Sequence, residues 1–222
     1  ADSDFQERLM KQFTSQARCL ELDWRIIKNN SEKLYVLLGM MAGRTCLTKE
    51  TGEINYIIET VIDEIHKIIN DDGMHISRKP QLQLETLKII IEIQYLGKSS
   101  KKYIREKYNN IVNKLTSSSK MLQHVDGTII NFNGGSKFEK ETVSQLISKS
   151  DASVKTLVGI SQDGYSKFNS KSTSIIFDIG SPYRASHNWH AGTLSFELSS
   201  GKNLILVNSG FLEMDTGWTN AL

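Results

Sequence analysis

The spacing of apolar residues changes period once along this chain, and that change constrains the fold more than any other feature. From Phe5 to about Lys28, the residues Phe5, Leu9, Phe13, Ala17, Leu20, Trp24 and Ile27 recur every three or four positions, one face of an amphipathic helix. The stripe returns at Leu34, Leu37, Leu38 and Met41, and Gly43 is expected to end that run. It is strongest in "INYIIETVIDEIHKII", where Ile54, Ile57, Ile58, Val61, Ile62, Ile65 and Ile69 form a band broad enough to be buried between neighbours. Pro80 suits the first turn of a helix carrying Leu84, Leu87, Ile90 and Ile91. Further helices are expected over about 100–123 and 139–149. Helices of this length joined by short polar loops pack as antiparallel hairpins.

Beyond about residue 154 the pattern becomes short runs, "KTLVGI", "GYSKFN", "TSIIFDIG", "TLSFELS" and "NLILVNSG", separated by Gly, Ser, Asn and Asp. In "TLSFELS", Leu194, Phe196 and Leu198 alternate with Thr193, Ser195, Glu197 and Ser199, which predicts a strand with one wet face. "SSGK" supplies a tight turn into the next strand. Helices first and strands second imply segregated layers, an α domain over 1–152 followed by a β domain over 153–222.

Function classes fall away quickly. With 222 residues, 39% hydrophobic and 23% charged, the composition is that of a folded globular chain. No apolar run approaches the ~20 residues that span a bilayer, so no membrane span is expected. The densest basic cluster, "GKSSKKYIREKYNNIVNKL", has apolar residues at helical spacing and a net charge of only +2 behind it, which favours a solvated helix face over a nucleic-acid surface. Cys19 and Cys46 make neither a disulfide framework nor a metal knuckle. There is no Gly-rich phosphate loop, no G-x-S-x-G elbow and no H-E-x-x-H. A start at Ala1 and an end on "WTNAL" are what a processed or truncated piece would show.

Three segments, in order, resemble the heparinase II/III-like superfamily. "INDDGMHISRKPQLQLETL" is similar to that family's helix-ending "DGGH-x-x-RSP" turn. "DGYSKFNSKSTSIIFDIGSP" is like its "SGY-x-R…D-x-G" pair, and "HAGTLSFELSSGKNLILVNSG" is close to its "HA-x-x-LSFEL…G…LIVN-x-G" hairpin. The resemblance implies an α/α toroid, here incomplete, followed by an antiparallel β-sandwich, here truncated. It also implies polysaccharide lyase chemistry on uronate-containing chains. The enzyme neutralises the uronate carboxylate, abstracts the proton beside it and expels the glycosidic oxygen, in a cleft between the helical and sheet domains. Such a proton needs a base within hydrogen-bond reach and donors for the developing negative charge.

Carried onto this chain, His190 matches the second histidine of the family's "H-x-H-x-D" motif, which some members tie to zinc. The first histidine falls at Asn188, the aspartate at Gly192, and a later acidic position at Asn208. The tyrosine that follows the "RSP" turn falls near Leu82, and an early Asn–His pair has at best Asn29 or Asn30. The family's last histidine motif would lie beyond Leu222. His190 and His75 are therefore the catalytic candidates, and His190 the candidate zinc ligand. Two histidines alone fall short of the three or four ligands of a stable zinc site. Arg78 is a candidate for a uronate carboxylate or sulfate, because its planar fork matches such groups, with a capping or inter-helix salt bridge as the alternative. Trp189 is a candidate to stack on a sugar face, with His187 and Asn188 beside it in the same loop, or else to pack at a domain interface. Trp24 is expected in the core, and Gly134 and Gly135 in a turn.

Two functions are thus open: a lyase cleaving an acidic polysaccharide by β-elimination, and a catalytically degenerate glycan-binding or envelope-associated protein of the same fold. Family members act in the periplasm or outside the cell, and that location is the expectation here. Oligomeric state is not legible.

Overall fold

In the computed structural model, the described residues are 3–47, 51–134, 138–150, 153–156, 159–160, 164–181 and 192–208. Six α-helices precede five strands: α1 Ser3–Asp23, α2 Asn30–Leu47, α3 Thr51–Ile65, α4 Pro80–Leu96, α5 Lys102–Met121 and α6 Lys140–Lys149, then β1 Gly159–Ile160, β2 Tyr165–Ser170, β3 Thr173–Asp178, β4 Phe196–Ser200 and β5 Asn203–Leu206. The two classes do not interleave. None of the described helices is long and apolar enough to cross a membrane.

The helical core is built as the periodicity requires. Leu34, Leu37 and Met41 of α2, Val61, Ile62 and Ile65 of α3, and Leu87, Ile90 and Ile93 of α4 are all essentially inaccessible, and Ile111 and Leu115 of α5 close the same cluster. Pro80 opens α4, where its missing N–H costs nothing. Two expectations change. Gly43 does not end α2. It sits inside that helix with Ala17 of α1 3.1 Å from where its Cβ would be, so the glycine lets the two helices approach closely. The α1 stripe is core only in its second half: Ala17 and Trp24 are buried, whereas Phe5 and Phe13 are 57% and 48% exposed. Periodicity identifies a helix and its apolar face, but not whether a partner covers it.

The strands form one antiparallel meander, β1-β2-β3-β4-β5. β4 turns through Gly201 and Lys202 into β5, with Gly201 at φ 57°. Register pairs Lys167 with Ile176 and Ile176 with Glu197, so these three lie on one face; Phe168, Ile175 and Leu198 align on the other. The face against the helices is the polar one: Lys167, Ser174, Asp178, Glu197 and Ser199 are buried. The other face carries Phe168, Phe177 and Phe196, ring against ring, with Phe168 57% exposed. The predicted wet face of β4 is therefore inverted. Glu197 and Ser199 are inside, and Leu194 and Phe196 are outside. An apolar sheet face of this kind is what a second sheet packs on in a sandwich. No second sheet is present among the described residues.

A smaller apolar cluster joins the two halves. Met74 from the α3–α4 turn, Met121 and Leu122 at the end of α5, Ile130 and Phe132 just after it, and Tyr165 and Ile176 of the sheet are all buried together. Phe132 stacks on Tyr165 with ring centroids 6.1 Å apart.

Candidate functional site

The α3–α4 turn, "NDDGMHISRKP", is fixed by its own backbone. Ile69 bridges to His75, Met74 N–H donates to Asn70 Oδ1 at 2.8 Å, and His75 N–H donates to Gln83 Oε1 at 2.7 Å. Gln83 is fully buried and its amide reaches back to the Gly73 carbonyl at 3.1 Å. Gly73 sits at φ 83°, and a Cβ there would lie 2.5 Å from the Lys114 backbone of α5. The "DG" of this motif therefore records a close approach of turn to helix that only glycine permits.

His75 is 4% exposed, and burial pushes its pKa down to about 4. Its ring is neutral near pH 7. Nδ1 accepts the Ser77 backbone N–H at 3.1 Å, with the Ser77 hydroxyl at 2.7 Å. The ring proton therefore resides on Nε2, which is buried and has no partner among the described residues. In this state His75 is a hydrogen-bond donor and a poor proton acceptor.

Arg78 is the centre of a clasp between the turn and the sheet. It occupies the left-handed region at φ 60°, and its carbonyl accepts the Tyr165 hydroxyl and the Asn133 side-chain amide, the latter at 3.2 Å. Its guanidinium forms a buried ion pair with Asp178, donates to the Ser181 carbonyl at 2.5 Å and lies 5.3 Å from the Tyr165 ring centre. Asn133, at φ 54°, also donates to Tyr165 Oη at 2.7 Å and Asp178 Oδ2 at 3.0 Å. With Arg78 only 6% exposed and Asp178 1%, the arginine's charge is balanced inside the protein. The fork expected to bind substrate thus holds the sheet instead. The salt bridge is the alternative weighed for Arg78, formed with a strand rather than a helix.

Two further contacts tie sheet to helices. Glu197 accepts from His124 Nε2 at 2.6 Å and from the backbone N–H groups of Asn131 and Asn208 at 2.9 and 3.1 Å. Lys167, 7% exposed and with a pKa lowered by burial to about 8, donates to the Gln123 carbonyl at 2.5 Å and to the Lys120 carbonyl at 3.4 Å. Those two carbonyls, at and just past the C-terminal end of α5, partly offset the burial that lowers its pKa.

His187, Asn188, Trp189 and His190 lie outside the described residues. What is described is where that segment departs and returns. Ser181 leaves β3 under the Arg78 guanidinium. Gly192 returns with the position of its missing Cβ 3.1 Å from Asn133 Oδ1 and 3.4 Å from Asp178 Oδ2. Ser181 and Gly192, the described residues on either side of that segment, both lie beside the clasp. Asp178, Tyr165 and Asn133 received no individual role from the sequence; the first two stand in a quoted motif, and Asn133 had no signal beyond its place before Gly134. Gly164 and Gly180 of the same motif touch. A Cβ on Gly164, at φ 80°, would lie 2.3 Å from Gly180 Cα. Leu82, near which the resemblance puts the family's tyrosine, is half-buried on α4. No three His, Cys, Asp or Glu side chains converge on a metal position among the described residues. Asp178 is committed to Arg78 and His75 Nδ1 to Ser77. The described side chains do not fit a zinc site.

Residues 154–219 match the family model described as "Heparinase II/III-like, C-terminal". The whole fold is similar to that of a solved heparinase III gene product, with a TM-score of 0.74 at 13% identity over 98% of this chain and 38% of the other. It is also similar to heparan sulfate lyase HepC from Pedobacter heparinus, with a TM-score of 0.66 at 12% identity over 98% of this chain and 38% of that one. The chain thus spans well under half the length of the structures it matches. Comparison with curated proteins yields no match.

Proposed function

We propose, from the chain's place in the heparinase II/III-like superfamily, that it contributes the helix–sheet junction of a polysaccharide lyase-type protein acting on uronate-containing chains outside the cytoplasm, in the periplasm or secreted. The observation that supports this reading is that Ser181 and Gly192, which flank the segment bearing His187 and His190, both lie beside the clasp at Arg78, three residues after His75. In this arrangement His190 is the candidate base for the proton beside the carboxylate. His75, neutral and protonated on Nε2, is better suited to donate to the carboxylate than to take a proton. Trp189, Asn188 and His187 are the candidate sugar contacts. Arg78 acts indirectly, as the residue that positions the segment. Zinc at His190 remains a proposal of the resemblance alone.

The test is incubation of the protein with a panel of uronate polymers, following ultraviolet absorbance of the unsaturated product. Product formation that is lost in His190→Ala supports the lyase; absence of product over the whole panel removes it. A second reading, glycan binding without turnover, is favoured by three specific features: the low proton affinity of His75, the internal neutralisation of Arg78, and Leu82 where the family has tyrosine. Retention on an immobilised uronate polymer without product, weakened by Trp189→Ala, would support that reading over the enzyme.

A further inference from the structure

A large cavity lies at the other end of the helical hairpin from the clasp. α4 begins beside Arg78 and runs 17 residues to Leu96, so its far end is about 25 Å away. There, between the end of α4, the start of α5 and the last turn of α6, a cavity of about 750 Å³ opens. This lies within the range that holds small molecules. One side of it is apolar, formed by Ile58 of α3, Ile91 and Ile93 of α4, and the Tyr108 ring of α5, while Gln94 and Asn109, hydrogen-bonded to each other at 2.8 Å, line it as well. Gly97 keeps it close-walled, since a Cβ there would lie 2.7 Å from Ile58 Cδ1.

Its rim is cationic. Glu92 is answered by Lys149, Nζ to Oε1 3.7 Å. Lys98 and Arg105 remain, both exposed, and neither forms an ion pair among the described residues. They are held in place. Arg105 Nη1 donates to the Lys98 carbonyl at 2.7 Å, and Lys98 Nζ stands 4.1 Å from the Tyr95 ring centre. The cavity also has an unsatisfied polar atom: Ser100 is 4% exposed, lines it, and its Oγ has no partner among the described residues. A buried hydroxyl left without a partner costs free energy that a ligand oxygen can recover.

We infer that this cavity is a binding site for a small hydrophobic anion, an acyl or aryl body with a single carboxylate or sulfate head. The body lies against Tyr95 and the edge of Ile91, in a cavity also lined by the buried Ile58 and Ile93, and the head meets Arg105, Lys98 and the Ser100 hydroxyl. The two cations disfavour a neutral lipid. The site is separate from the junction, and its test is independent of the polysaccharide reading.

The test is a titration of the protein with decanoate, below its micellar range, followed by isoleucine δ1-methyl NMR. The δ1 methyls of Ile58, Ile91 and Ile93 should shift together while Ile176, in the junction, stays still. The double substitution Lys98→Gln with Arg105→Gln alters only exposed side chains and should weaken decanoate about tenfold. Decanol should bind more weakly than decanoate by a similar factor. Unmoved methyls at Ile58, Ile91 and Ile93, shifts centred instead on Ile175 and Ile205 of the sheet, or equal affinity for decanol and decanoate would each overturn the assignment.

Discussion

The helical core and the helix–sheet junction are both buried, but opposite physics holds them. In the core, Ile and Leu from four helices form one apolar cluster, with Asn55, Glu64, Thr86 and Thr116 among the polar side chains buried on the same helices, and most of the stabilisation is non-directional and scales with area. At the junction, Arg78, Asp178, Tyr165, His124, Glu197 and Lys167 are withdrawn from water and, with the half-buried Asn133, are held by named partners. A core of the first kind tolerates changes of residue provided volume is kept. A network of the second kind fails when any one member is removed, because its partner is left buried and unpaired. That difference explains why the recognisable motifs of the chain lie at the junction and not in the longer, equally buried helices.

The contrast can be broken most directly at the ion pair. Asp178→Ala strands the Arg78 guanidinium at 6% exposure and should cost about 4 kcal/mol in urea unfolding. The joint replacement Arg78→Met with Asp178→Leu should cost much less than Asp178→Ala alone, and an equal or larger loss would show that the pair is not what couples turn to sheet. In the core, Leu87→Ala should cost about 3 kcal/mol, from lost burial plus the cavity left behind, while Ile90→Val should cost only about 1 kcal/mol. If the core substitutions proved the more sensitive, the contrast would be wrong.

Acid should act on the junction selectively. His75 titrates at about 4 in the fold against an ordinary 6.5, so between those values the unfolded chain binds the extra proton. Stability then rises with pH across the window. It is fully present above about 6.5 and is lost as pH falls toward 4, a change on the order of 3 kcal/mol. Replacing His75 with Gln should flatten that part of the stability–pH curve; an unchanged slope would contradict the buried neutral state. The smallest effect is expected on the outer sheet face. Phe168→Ser, at a position 57% exposed, should change monomer stability by less than about 1 kcal/mol and should raise solubility, measured by light scattering.

How much of this was legible in the sequence follows from the same division. The helices could be placed from period alone, and Pro80 and the Gly201 turn from backbone chemistry. The α-then-β order followed from the change of period. The inverted sheet was not legible, because alternation between Phe196 and Glu197 does not say which face is inside. Burial of the polar face depends on partners 66 to 73 residues away, Asn131 and His124. The fate of Arg78 was hidden for the same reason: its counter-ion lies on β3, and no local pattern pairs a loop arginine with a strand aspartate. His75 was legible as a position, but its tautomer came from the Ser77 N–H and its low pKa from burial in the fold.

We propose that His75 and the segment from His187 to His190 serve one acidic-sugar site beside the Arg78–Asp178 clasp. The most direct measurement is histidine-ring nitrogen NMR during titration with a uronate oligosaccharide. The account predicts that the His75, His187 and His190 signals move together with one dissociation constant, and that Arg78→Met weakens all three. Movement of His187 and His190 with His75 unchanged, or no histidine response at saturating sugar, would contradict it.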